Sequence, residues 1–538
     1  MPLSPAARRI ARTDGPAALN GILAGALAVA AAEFTAAFVR REATPLVTVG
    51  QSVIDRTPQG LKEFAIREFG TKDKLVLQLA IGAALLVFAA VIGVLARHRL
   101  WAGLAGIGIL GVVTVAAAVS RPADQGPDVI PALIATAVGA AALTYLTRAT
   151  ATPRPATETA STATADPDAP PATPDSPSPT PPPYATPRRR TLLLGAAGAA
   201  ALLAAVGRQL QNLRFDVSKS RDAVVLPVPA APAPAPPAGT ELAVPGLTPH
   251  TTPNADFYRI DTALVVPKIR AEDWKLRIHG MVDREIETDF AALTARPAIE
   301  RDVTLACVSN PVGGPYIGNA RWLGVRLADL LREAGVHPGA DQLISRSSDG
   351  MTIGTPTAAV LDGRDAMLAF GMNGEPLPLR HGFPVRMIVP GLYGYVSACK
   401  WIVEIEATTF TDYDAYWVPR GWSAQAPIKT QSRIDTPKNM AKLPLGRIPI
   451  AGVAWAQHRG IAAVEVQIDD EPWQQAELAA QDTTDTWRQF VYHWDARPGP
   501  HRIRIRATDQ TGATQTEEEV DVAPNGATGY HTIAVTVT

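Results

Sequence analysis

The sequence predicts a multidomain chain in three parts: an α-helical transmembrane bundle, a mixed α+β domain and a small antiparallel β-sandwich. Three observations predict it. Long apolar runs fill the first 150 residues, and from about Leu247 short β-type runs alternate with helical pieces. About the last hundred residues read as strands separated by turn residues. At 538 residues the chain also exceeds what one hydrophobic core sustains, roughly 250–300 residues.

The apolar runs are Ala17–Val39, Leu75–Ala96, Trp101–Ser120 and Val129–Leu146. Each approaches the ~20 residues that cross a hydrocarbon core as a helix. Leu75–Ala96 is the cleanest, flanked by Lys74 and Arg97. Arg8, Arg9 and Arg12 precede the first run, "RHR" joins the second to the third, and Arg188–Arg190 follow the fourth. These segments alternate onto one side, the cytoplasm by the positive-inside rule. The loop 40–74 is then outside, with "GLKEFAIREF" as a short amphipathic surface helix. Glu33 lies near a helix end and reaches the interface.

A Pro/Thr/Ser-rich stretch over 151–190 is too poor in large apolar residues to offset its ordering entropy, and reads as a linker. At 191–208, "TLLLGAAGAAALLAAVG" behind three arginines reads either as a fifth transmembrane helix or as a twin-arginine-like export signal. Both place the remainder of the chain outside, so a multi-pass cell-membrane protein with an extracytoplasmic soluble half is expected. An Ala/Pro-rich spacer over 209–246 comes next, then the α+β domain over 247–437 and the sandwich over 438–538. In the α+β domain "VRLADLLREAG" repeats apolar residues at i, i+3 and i+4. In the sandwich "RIRIRA" alternates strictly, apolar in and basic out.

Several function classes drop out. A net charge of -1 gives nucleic acid no electrostatic footing. Two cysteines, Cys307 and Cys399, do not make a disulfide scaffold, though a single disulfide, a reactive or metal-binding thiol and an inert buried one all stay open. There is no Walker-type loop and no zinc spacing. "HGFPVRMIVPGLYGYVSACKW" does gather His381, Arg386 and Lys400 beside glycines. A planar guanidinium fork and a point charge suit a phosphorylated ligand, or else form a solvated basic face.

Taken together, "TLACVSN", "NARWLGVRLADLLREAG", "HGFPVRMIVPG" with its following "KW", and the tail "IAGVAWAQHRGIAAVEVQIDDEPWQQAEL" resemble the sulfite oxidase family of molybdopterin-dependent oxidoreductases. The resemblance spans roughly Thr248 to Thr516, and the membrane region is an addition to it. It implies a molybdopterin-binding domain, an Ig-like β-sandwich of the dimerisation type and hence a homodimer, and molybdenum as the metal, with Cys307 its single protein thiolate. His381, Arg386 and Lys400 match positions that contact the pterin and its phosphate, and Asn254 and Phe257 lie where the chain passes the cofactor. Arg259 matches an arginine facing the oxyanion substrate, Arg459 another from the sandwich, and Tyr416 and Arg420 are further pocket groups. Cys399 has no role to carry over.

The resemblance implies two-electron oxygen-atom transfer on a small oxyanion or oxidisable sulfur-type substrate. No Cys-x-x-Cys-His and no paired membrane histidines occur, so electrons go to a separate carrier such as a cytochrome or quinone-linked protein. The sequence departs from sulfite-oxidising members in two places. "VSNPVGG" lacks their arginine after the cysteine, and their "RNH" is "RID", with Asp261 in place of histidine. Losing a positive charge and gaining a negative one weakens a sulfite pocket. Two alternatives stand beside the oxidase: a sulfoxide-type oxide reductase, and a non-catalytic scaffold with a degenerate cofactor site.

Overall fold

The computed structural model describes residues 5–58, 60, 61, 64, 68, 69, 73–121, 126–150 and 189–538. The linker expected over 151–190 lies outside the described residues up to position 188. Of the surface helix expected over 60–69, the described residues are helical and the others lie outside. The chain falls into two compact units, Met1–Thr57 with Ala65–Phe215, and Pro58–Phe64 with Asp216–Thr538.

The first unit is helical: α1 (Pro5–Ala36), α2 (Pro45–Arg56), α3 (Asp73–His98), α4 (Leu100–Val119), α5 (Ile130–Ala149) and α6 (Arg189–Arg214). All but α2 are long and apolar enough to cross a membrane. Small residues let α1 and α3 meet backbone to backbone, because a methyl on Gly21 would strike Ala89 O and one on Gly93 would strike Ala17 O. Two polar side chains cross between helices of the bundle: Asn20 Nδ2 donates to Thr150 Oγ1 at 2.7 Å, and Gln211 Nε2 donates to Glu33 O at 2.7 Å and to its carboxylate at 3.1 Å. Glu33 is thus tied to α6. Leu79, Leu86, Phe88, Ile109 and Val112 are exposed on α3 and α4.

The second unit opens with the short helix α7 (Ser218–Asp222). Ten strands build the α+β part: β1 (Lys275–Gly280), β2 (Ile286–Asp289), β3 (Ala298–Ala306), β4 (Ile317–Arg326), β5 (Gln342–Ser347), β6 (Thr352–Pro356), β7 (Met367–Met372), β8 (Glu375–Pro376), β9 (Arg386–Ile388) and β10 (Ile402–Thr408). They form one sheet of order β2-β1-β10-β5-β6 and another of order β3-β4-β7-β8, with β9 on β7. The helix α8 (Leu327–Ala334) follows β4 and stops at Gly335, whose φ of 69° suits a residue without Cβ.

Nine strands complete the unit: β11 (Gln431–Thr436), β12 (Ala441–Leu443), β13 (Gly446–Trp455), β14 (Ile461–Ile468), β15 (Gln474–Gln475), β16 (Glu477–Leu478), β17 (Arg488–Ala496), β18 (Gly499–Asp509) and β19 (Thr532–Val537). Sheets of order β11-β13-β17-β16 and β12-β19-β18-β14-β15 share one core of Ile450, Val464, Phe490, Ile503 and Val535 among others. This sandwich takes in β11, ahead of the boundary expected at 438. Trp455, Trp487, Val522 and Ala527 from its side join the α+β core around Leu276, Phe370 and Ile405, so the two parts share buried surface.

The Ala/Pro-rich stretch expected as a spacer over 209–246 does not stand free. Ala230 and Ala231 donate to Ala298 O, and Glu300 donates back to Ala231 O, so the segment covers the open edge of β3. Further on, Gly239 O accepts from Ala480 N, and Leu242 N donates to Gln489 Oε1 at 2.7 Å. Prolines favour an extended chain, and an extended chain offers the carbonyls and amides that a sheet edge needs.

Candidate functional site

Cys307 sits where β3 runs out. The last five residues of that strand are buried, and the chain then turns: Asn310 N donates to Cys307 O at 3.1 Å and Cys307 N donates to Tyr316 O at 2.9 Å. Asn310 Oδ1 accepts from Tyr316 N, which leaves its buried Nδ2 without a partner. The turn is braced from the sandwich, because Arg433 donates to Gly314 O at 3.0 Å and Gly313, at a φ of 72°, lies against the His531 ring. Cys307 is 8% exposed and unbonded to Cys399. Burial pushes its thiol pKa up, opposed by hydrogen bonds from Ser309 and by the Lys400 charge.

A second group converges beside it. His381 closes a short turn after Pro378, and Gly382 follows at a φ of 112°, packed so closely on Arg386 and Lys400 that a methyl there would lie 3.0 Å from Arg386 Cβ. His381 Nε2 faces Asn254 O at 3.1 Å. A carbonyl only accepts, so Nε2 carries the proton and the buried, unpartnered Nδ1 is an acceptor. Burial, with the Arg386 and Lys400 charges, lowers its pKa to about 3 and keeps the ring neutral.

Arg386, on β9, donates to His381 O at 3.1 Å and lies 5.0 Å from the Trp322 ring, while its buried Nε has no partner. Burial lowers its pKa to about 10. Lys400 donates to Ile260 O and Asp261 Oδ2, each at 3.1 Å. Burial draws its pKa down to about 8 against the pull of Asp261. Phe257 meets His381 edge-on at 5.6 Å and stacks on Tyr258 at 5.3 Å. Tyr258 is pushed well above the ordinary tyrosine range by burial and by Cys307. Its hydroxyl lies beside Gly394, which also approaches the end of β3 at Ala306 O.

The remaining expected residues have other attachments. Asn254 spends its side chain on the protein: Nδ2 donates to Glu375 Oε1 at 2.6 Å and Oδ1 accepts from Asn373 at 2.8 Å. Arg259 grips Asp261 with bonds of 2.8 and 3.2 Å. Arg459, from the sandwich, donates to Asp509 at 2.9 Å and to Ile428 O. Burial raises the Asp509 pKa, but hydrogen bonds from Thr511, Arg459 and Thr430 outweigh it and hold that carboxyl well below its usual range. Tyr416 belongs to an aromatic patch with Trp417 and Trp422, and Arg420 stacks 3.7 Å from its ring.

Sequence reasoning missed Tyr258, Tyr393, Asn310 and Lys429. Tyr393 is buried, hydrogen-bonded by the Lys429 backbone, and pushed up to about 12 by burial with a contribution from Cys307. Lys429 Nζ donates to the neutral Asn525 Oδ1 and Gly526 O. The adjacency of Tyr258 to Phe257 and of Tyr393 to the "PGLYG" glycines was the available signal. His279, Glu404 and Glu406 also offer three ligand atoms within 4.8 Å, but Arg346 pairs with Glu404 at 3.3 Å, as in a charge ladder across β1, β10 and β5.

Residues 263–417 match the family described as the oxidoreductase molybdopterin binding domain. That span holds Cys307, His381, Arg386, Lys400 and Tyr416, whereas Asn254, Phe257, Arg259 and Arg459 fall outside it. The mitochondrial sulfite oxidase of Drosophila melanogaster is 31% identical over 306 residues, 48% of this chain and 52% of that protein. The oxidoreductase YuiH of Bacillus subtilis is 34% identical over 149 residues, 28% of this chain and 72% of that protein. The chain spans about half the length of the sulfite oxidases it matches. The crystal structure of the sulfane dehydrogenase SoxCD from Paracoccus pantotrophus aligns with 54% of this chain and 81% of that chain, at 24% identity and a TM-score of 0.47.

Proposed function

The chain belongs to the sulfite oxidase-like family of molybdopterin-binding oxidoreductases, and on that premise we propose a membrane-anchored enzyme that transfers an oxygen atom and two electrons at a Cys307-ligated molybdenum. The observation that carries the reading is a set of buried polar atoms with no protein partner. His381 Nδ1 is an acceptor, and Arg386 Nε and Asn310 Nδ2 are donors; Asn310 N bonds Cys307 O, and Arg386 donates to His381 O. Unpartnered buried groups are costly, so they fit a polar ligand that both donates and accepts.

His381 and Arg386 would hold the pterin and its phosphate, Lys400 would add a charge, and Cys307 would ligate the metal. The bound cofactor supplies the redox chemistry; the chain supplies binding, orientation and charge. Burial disfavours a free thiolate at Cys307, so a metal cation is what makes the deprotonated form favourable there. Phe257, Tyr258 and Tyr393 wall the site with rings and exclude water.

For the substrate, charge is the guide. Asp261 answers Arg259 and Lys400, and Asp509 answers Arg459. Lys429, bonded to neutral oxygens, adds positive charge beside Tyr393. This favours a small sulfur-type substrate of low charge over a dianion, and a neutral sulfoxide-type oxide suits the same mouth, which keeps the reductase direction in view. The five apolar helices support anchoring in the cell membrane, with the catalytic part outside by the distribution of arginines. Electrons pass to a separate carrier, and the sandwich is read as an Ig-like domain that pairs two copies.

Elemental analysis for molybdenum, with fluorescence of the oxidised pterin, tests this on the full chain purified from a cofactor-competent host. Equimolar molybdenum and pterin are expected. A well-folded sample with neither overturns the reading in favour of a scaffold.

A further inference from the structure

The short helix α7, expected as part of a spacer, is joined to the pocket by hydrogen bonds. Arg221 Nε donates to Leu377 O at 2.9 Å, and its Nη2 donates to Pro376 O at 2.6 Å and to Glu375 Oε2 at 2.8 Å. The other carboxylate oxygen of Glu375 accepts from Asn254 Nδ2 at 2.6 Å. Ser220, next to Arg221, also fixes the helix by donating to Glu272 and accepting from Ala271 N at 2.9 Å.

Glu375 stands in a tight hairpin whose central residues, Asn373 and Gly374, have φ of 50° and 80°, the left-handed pair that a two-residue β-turn requires. This stiff tip presents an amide donor at Asn373 and an acceptor at Glu375. Asn254 answers each with the opposite group, so its amide has one orientation. That holds the backbone at 254, and Asn254 O then faces His381 Nε2 at 3.1 Å. The imidazole is thereby held in the tautomer whose Nδ1 is free to accept.

We propose that Arg221, Glu375 and Asn254 form a positioning relay from the juxtamembrane helix to His381, which sets the ring that receives the cofactor. This rests on the reading that the pocket binds molybdopterin. Glu375 is half-exposed, and an exposed ion pair contributes little stability, so the relay acts through geometry more than through fold stability.

The test uses the full chain in detergent, with Arg221→Met, Glu375→Gln, the double variant and the conservative Arg221→Lys. Pterin bound per chain and its rate of loss on dilution are read beside Tm. Each single variant is expected to lose pterin at least about 10-fold faster, the size of effect that losing a partner behind a ligand brings. The double variant should be no worse than either single one, because both cut one path. Arg221→Lys should retain more pterin than Arg221→Met. Unchanged pterin loss in both single variants, or losses that simply track Tm, would overturn the relay while the family reading stands. Absence of pterin from the unsubstituted chain would overturn both.

Discussion

On the proposed reading Cys307 would combine two properties that ordinarily exclude each other, a buried position and a negative charge. Replacing it with alanine would remove the proposed ligand and little core volume. Cys307→Ala is therefore expected to cut turnover by more than the roughly 10–100-fold typical of groups behind a ligand, with Tm within a few °C of the parent. Activity assay and a thermal melt together check this. His381 and His531 carry a second expectation. Burial lowers both, His381 to about 3 and His531 to about 4, against an unfolded value near 6.5. The unfolded chain then binds more protons than the folded one below about pH 6.5, so these residues contribute stability at neutral pH that is lost on acidification toward about 4. Melts from pH 7 to 4.5 should fall steadily, and His531→Gln should flatten that fall. At this scale His381, Arg386 and Lys400 were legible as a cationic group by residue type, whereas the role expected of Cys307 came from the resemblance alone. Asn254 was placed beside the cofactor by the resemblance alone; that its amide is held by Asn373 and Glu375, 119 and 121 positions further along the chain, was not legible.

Elements position these residues through their ends. The exit of β3, the turn before Gly382 and the tip between β7 and β8 each place one group, and each depends on a backbone that L side chains rarely adopt. Gly313 is the sharpest case, with a left-handed φ and the His531 ring where a Cβ would go. Gly313→Ala is expected to destabilise by roughly 1–3 kcal/mol and to displace the Cys307 turn. Its checks are Tm and pterin content, and full retention of both would mean that the turn is not braced by the sandwich. The helices and alternating strands were readable from periodicity. The path of the Ala/Pro segment was not, because its composition describes an extended chain without saying which open sheet edge it meets.

For the whole molecule, the shared core makes a thermal prediction. Trp455, Trp487, Val522 and Ala527 are buried with the α+β core, so the two soluble parts should melt in one cooperative transition. Two separated calorimetric peaks would contradict this. The apolar helices predict that the full chain resists alkaline extraction from membranes, and release into the supernatant would count against anchoring. By itself the sequence determined the helices long enough to span, the order of the α+β and sandwich parts, and the residue types that suit a phosphorylated ligand. These derive from local composition and from periods of 2 and 3.6 residues, which the chain carries wherever it folds. Only the tertiary structure decided which charges are answered, which histidine nitrogen is free, and how the short helix over 218–222 is tied to Glu375. Each of those depends on atoms that are distant in the chain and meet only when strands register and loops cross.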